Sequence, residues 1–172
     1  MFQLLSRGIN GLTWLAEVLA EIALAGLMLL VFHEVIVRYL FNSPTVYSVE
    51  LSEYLLVVVA FMSMGWVLKE DRHVRATFVV NALPEKIRLG VDIVTSLLTM
   101  IFGGILVWKG TETAITAFTG DYHSSSLLDF PLWIPYAIIP LGALILNLQY
   151  IVRIGDRFSA LTGKPSGRPE TT

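Results

Sequence analysis

Four stretches of about twenty predominantly apolar residues, one after another, decide what this chain can become. At about 1.5 Å of rise per residue, each is long enough to cross the hydrocarbon of a bilayer as a helix. They fall at about 16–37, 49–68, 89–108 and 132–152. Lipid offers no partner to a backbone N–H or carbonyl, so each segment must satisfy its own, and only a helix does so. A membrane barrel would instead show alternating polar and apolar positions. The composition agrees: 55% of the 172 residues are hydrophobic, more than a soluble domain of this size could cover. The predicted fold class is an all-α integral membrane protein with four transmembrane helices. It forms a single domain over 1–162, followed by a tail at 163–172 whose composition predicts disorder.

The basic residues orient these helices. Arg7 precedes the first, and the second loop holds Lys69, Arg72, Arg75, Lys86 and Arg88. The tail adds Arg153, Arg157, Lys164 and Arg168. Only Arg38 and Lys109 fall on the other side. The positive-inside rule therefore places both termini in the cytoplasm. The first apolar run carries Glu17 and Glu21 and is not followed by a small-x-small pattern. It reads as a retained helix rather than a cleaved signal. Residues 73–90, HVRATFVVNALPEKIRLG, mix bases with apolar side chains as an interfacial amphipathic segment does. Pro84 and Glu85 suit the first turn of a helix. Residues 119–131 read as a polar loop. In the fourth segment Pro135 and Pro140 predict a bend.

Ionisable groups at membrane depth are costly and require an explanation. Glu34 and Arg38 are one turn apart and can pair. At 100° per residue Glu17, Glu21, Glu34 and Arg38 share an arc of about 140°, so half of helix 1 expects protein or water beside it. Glu50 and Glu53 enter helix 2 in its first turn, where the dipole favours a carboxylate by ~0.3–1 kcal/mol. The connection is short enough for an Arg38–Glu34–Glu50 cluster to fasten helices 1 and 2. Asn42 and Pro44 would shape its turn. Asp92 is expected at the interface near Arg88. Gly65, Gly103, Gly104, Gly142 and Ala143 allow close helix approach.

Several functions are excluded. The chain has no cysteine and a net charge of −2, so thiolate sites and a nucleic-acid partner are not expected. Haem would need histidines facing one another within the bundle. Only His33 lies at membrane depth, while His73 and His123 fall on opposite sides. No triad, phosphate loop or metal spacing is present, so the chain reads as a non-enzyme without cofactor. One alternative is a small homodimeric proton-coupled exporter using a helix 1 glutamate. Against it, helix 1 places its carboxylates toward its ends and leaves 22–32 uncharged.

The runs EVIVRYLFNSPTVYSVELSEYLL and FMSMGWVLKEDRHVRATFVVNALP resemble the small membrane subunit of tripartite ATP-independent periplasmic (TRAP) transporters. The matching positions are Arg38, Tyr39, Phe41, Asn42, Pro44, Tyr47, Glu50, Gly65, Arg72, His73, Leu83 and Pro84. Tyr47 stands where the family usually has Trp, and Thr77 near a frequent Asp. The resemblance implies a subunit of the bacterial inner membrane that scaffolds a large membrane subunit, within a sodium-driven importer of organic acids served by a periplasmic binding protein. It makes Glu34, Arg38, Asn42, Pro44, Tyr47, Glu50, Glu53, Arg72 and His73 candidates for helix fastening or the subunit interface. Glu53 and Asp121 are candidates for docking of the binding protein. Membrane lipids are the remaining partner. Dicarboxylates, sialic acid, other sugar acids, keto acids and ectoine-like solutes all stay open as substrates.

Overall fold

A computed structural model describes residues 2–43, 45–70, 85–126 and 128–161. At 2–5, 46, 85–93 and 155–161 the description is of backbone alone. Four helices are present: α1 (Phe2–Leu40), α2 (Val46–Lys69), α3 (Glu85–Thr119) and α4 (Trp133–Leu161). Each is long and apolar enough to cross a membrane. No strand occurs among the described residues, only one isolated bridge between His123 and Pro131. Pro44, Arg72, His73, most of the 73–90 segment and the tail from 163 lie outside the described residues.

The helices run past the apolar windows that reveal them. α1 begins at Phe2 rather than near residue 16. Its early turns are held from outside: Thr13 is fully buried, and its hydroxyl donates to the Ile9 carbonyl and lies 3.3 Å from Gln149 Oε1 on α4. Gln149 Nε2 in turn donates to Asn10. This displaces Glu17 and Glu21 from the expected helix end to the middle of α1. α3 continues past 108 to Thr119. Its extra turns are polar but self-sufficient. Lys109 pairs with Glu112 at 2.7 Å, and the hydroxyls of Thr111, Thr113, Thr116 and Thr119 each donate to the carbonyl four residues back.

α2 and α4 form the centre. α1 packs on α2, α2 on α4 and α3 on α4, with a smaller α1–α4 contact. One buried cluster joins Ala16, Ala20, Met62 and Ile145; a second joins Leu68, Leu146 and Tyr150. Small residues set the spacing. A Cβ on Gly142 would press into the Phe61 carbonyl, and one on Gly65 would lie 2.7 Å from Ile145 Cγ2. Here the backbones approach more closely than any larger residue permits. Asn147 faces Gly103. In the orientation that satisfies its amide, it donates to the Met100 carbonyl and accepts from Gly104 N–H at 3.1 Å. The outward faces of α1 and α3 are apolar and exposed, with Met28, Leu29 and Phe32 on one and Leu98, Ile101 and Phe102 on the other.

Candidate functional site

The polar groups gather where α1 ends, α2 begins and the α3–α4 loop folds over them. α1 stops at a turn in which Asn42 takes a left-handed conformation, φ 53°, tolerable because its short polar side chain suits that region. The Ser43 N–H returns to the Val37 carbonyl. This brings Thr45 over the last turn of α1. Glu34 Oε1 accepts from Arg38 Nε at 3.1 Å and Nη2 at 2.8 Å, while Oε2 accepts from the Thr45 hydroxyl. Thr45 also meets the buried Ser48 hydroxyl, and Ser52 donates to the Ser48 carbonyl at 2.6 Å. Glu34 is 12% exposed and Arg38 49%. The carboxylate therefore sits in the α1–α2 seam, and the guanidinium covers it from outside.

Glu50 faces another way. Its carboxylate accepts from the Tyr54 hydroxyl one turn on and from the Ser126 hydroxyl of the α3–α4 loop. The Tyr54 and Phe130 rings stack with centroids 4.8 Å apart, so α2 holds the loop by one polar and one aromatic contact. The loop is shaped to reach. α3 closes with Asp121 left-handed at φ 52°, Tyr122 N–H bonded to the Ala117 carbonyl and Asp121 N–H to that of Phe118, the Schellman pattern. Ser124 N–H then bonds the Phe130 carbonyl and Leu132 N–H that of Tyr122. At the loop's far edge the Phe118 and Trp133 rings meet edge to face.

Thus Glu34 and Arg38 come together as their spacing predicts. Glu50 does not join them directly; Ser126 and Tyr54 occupy its carboxylate instead. Two open clefts flank this arrangement, of about 410 and 550 Å³, and Arg38, Val49 and Glu53 line both. Asn42 and Tyr47 are exposed at the rim. Asp121 points outward, its side chain 92% exposed, with His123 3.9 Å away. Thr45, Ser48, Tyr54, Ser126 and Phe130 are absent from the sequence reading. The only signal for Thr45, Ser48 and Ser126 there is the density of hydroxyls in SPTVYSVELS and HSSS; Tyr54 and Phe130 carry none. Among the described residues no cluster of three His, Cys, Asp or Glu could hold a metal.

Fold and site together define a polytopic helical membrane protein whose described polar groups join helices and loop. The chain belongs to the TRAP transporters: residues 27–160 match the family described as "Tripartite ATP-independent periplasmic transporters, DctQ component". It is similar to the ectoine TRAP transporter small permease protein TeaB of Halomonas elongata, 27% identical over 117 residues. That match covers 68% of this chain and 60% of TeaB, somewhat under two thirds of the relative's length. The sialic acid small permease protein SiaQ of Vibrio cholerae is 24% identical over 151 residues, 87% of this chain and 85% of SiaQ. The sialic acid TRAP transporter permease protein SiaT of Haemophilus influenzae is 27% identical over 144 residues, which make up 80% of this chain and 21% of SiaT. As a member of this family the chain is a non-enzymatic transport component, multi-pass in the bacterial inner membrane.

Proposed function

We propose that this chain is the small membrane subunit of a sodium-coupled TRAP transporter that imports an organic acid. It scaffolds a large membrane subunit that carries substrate and ions, and a periplasmic binding protein delivers the substrate. The observation that carries this reading is the family match over 27–160 on a bundle whose α1 face lies uncovered. SiaT supports the reading: a segment like this chain makes up about a fifth of that far longer TRAP permease. In this reading residues 1–162 are one membrane domain with both termini and the 163–172 tail cytoplasmic. The Glu34–Ser126 end is then periplasmic. Glu34, Arg38, Asn42, Pro44, Tyr47 and Glu50 fasten the α1–α2 hairpin and the loop above it. Arg72 and His73 are further candidates for helix fastening or the subunit interface, and Glu53 and Asp121 meet the binding protein.

Uptake tests this. Deleting the chain from its host should abolish sodium-dependent uptake of one solute among dicarboxylates, sialic acid, other sugar acids, keto acids and ectoine-like solutes, and plasmid-borne protein should restore it. Unchanged uptake of every such solute would refute the reading. One observation favours a second: Glu21 lies at the middle of α1, where a self-sufficient proton-coupled exporter would need a carboxylate. Proton-driven transport by the purified chain alone in liposomes would select that reading.

A further inference from the structure

Glu21 sits near mid-depth on α1, and packing fixes that depth. The apolar spans of α1, α2 and α4 are Ser6–Leu40, Tyr47–Lys69 and Trp133–Ile154, so their middles fall near Ala23, Val58 and Ala143. Val58 packs against the cluster of Ala16, Ala20, Met62 and Ile145, and Ala143 is fully buried. This cluster therefore marks the middle of the span. Glu17 and Glu21 directly follow its two alanines, about 100° further round the helix, which takes both carboxylates off the seam. Glu17 is half-buried, and the charges that act on it are Glu21 one turn on and then Lys69 and Glu70 at the end of α2. Glu21 is exposed, and among the described residues it has neither a hydrogen bond nor an ion pair.

Its one charged neighbour among the described residues is the like-charged Glu17 one turn before; the rest of its face is apolar. Trp14, Met28 and Phe32, seven residues before and seven and eleven after, share its face within about 20° and are exposed. A carboxylate aimed at hydrocarbon from that depth is costly, and such groups face protein and pair. The exposed face of α3 provides the contrast. Its span, Val94–Thr119, also carries exposed ionisable residues near its middle, but these, Lys109 and Glu112, pair with each other at 2.7 Å. Among the described residues, the two uncovered faces thus differ in whether their charged groups find a partner within the chain: those of α3 do, and Glu21 does not.

We propose that Glu21 pairs, inside the bilayer, with a basic side chain of the large membrane subunit, and that the Trp14–Phe32 face of α1 is the surface this subunit covers. The inference rests on the small-subunit reading above. The carboxylate supplies specificity, because a helix without a matching base would leave it unpaired, while Trp14, Met28 and Phe32 supply the contact area.

The test co-expresses the full chain with an epitope-tagged large subunit of the same transporter and measures how much of the chain each capture recovers. Recovery of wild type first establishes the small-subunit reading; its failure would refute that reading and this proposal with it. Given recovery, Glu21→Lys should lower the yield at least tenfold, and Glu21→Gln, nearly the same shape, several-fold. Phe102→Lys on α3 should recover as wild type if it inserts, and Phe102→Leu serves as its conservative companion. Glu21→Cys in membranes should react with a maleimide several-fold more slowly when the large subunit is present. Wild-type recovery of both Glu21→Lys and Glu21→Gln, or equal labelling of Glu21→Cys with and without the large subunit, would overturn the proposal.

Discussion

Gly142→Ala and Gly104→Ala should move stability in opposite directions, although each adds one methyl to an apolar helix. At Gly142 the new Cβ meets the Phe61 carbonyl oxygen inside contact distance and the Phe61 carbonyl carbon and Cβ at 2.7 Å. Two of those three atoms are backbone, so no rotamer change relieves the clash and α2 must move off α4. Overpacking of this kind costs ~1–3 kcal/mol, and backbone contact argues for the upper part of that range. Alanine recovers ~1 kcal/mol of helix propensity, leaving a net loss of ~1–2 kcal/mol. At Gly104 nothing lies within 4 Å of the added Cβ, so only the propensity gain applies, at most ~1 kcal/mol. The two variants should therefore differ by ~2–3 kcal/mol, a factor of roughly 30–150 in the folding equilibrium. The assay is reversible unfolding of the purified chain in mixed micelles with increasing SDS, followed by tryptophan fluorescence. Equal midpoints, or a Gly142→Ala midpoint above that of Gly104→Ala, would refute the close approach of α2 and α4 described here.

Three further outcomes follow from the site and the α1–α4 contact. Thr13→Val keeps shape and removes the hydroxyl shared with Gln149; it should cost ~0.5–2 kcal/mol in the same unfolding assay, the range of interhelical hydrogen bonds in membranes. Ser126→Ala and Glu50→Gln should each loosen the α3–α4 loop without unfolding the bundle, read as faster amide exchange at 122–130 with unchanged exchange in α2. Glu34→Gln should lower the unfolding midpoint more than Arg38→Gln. The Glu34 carboxylate holds Thr45 and α1 together, whereas Arg38 covers it from a half-exposed position.

The helices are legible because their cause is local: apolar length in a medium that forbids unpaired backbone. Their ends are not, because what extends them is tertiary or polar. α1 gains its first turns from the Thr13–Gln149 contact 136 residues away in sequence, and no hydropathy window carries that. α3 runs on through Lys109, Glu112 and four threonines, a stretch that reads as loop by composition. At the site, the Glu34–Arg38 pair follows from i,i+4 spacing alone. The partner of Glu50 could not be read, since the short α1–α2 connection makes Arg38 the obvious choice. Ser126 reaches Glu50 only because the Asp121 turn and the Phe130–Tyr54 stack aim the loop at α2. The early start of α1 also moves Glu21 to mid-depth, a position that an apolar window beginning near residue 16 places at a boundary.

The most direct measurement is the native mass of what this chain holds on to. The tagged chain, expressed from its own locus and extracted in mild detergent, should appear as a one-to-one complex with a membrane protein several times its 19.1 kDa, whose sequence is that of a TRAP large subunit. A species containing only copies of this chain, in membranes where that large subunit is present, would contradict the small-subunit reading.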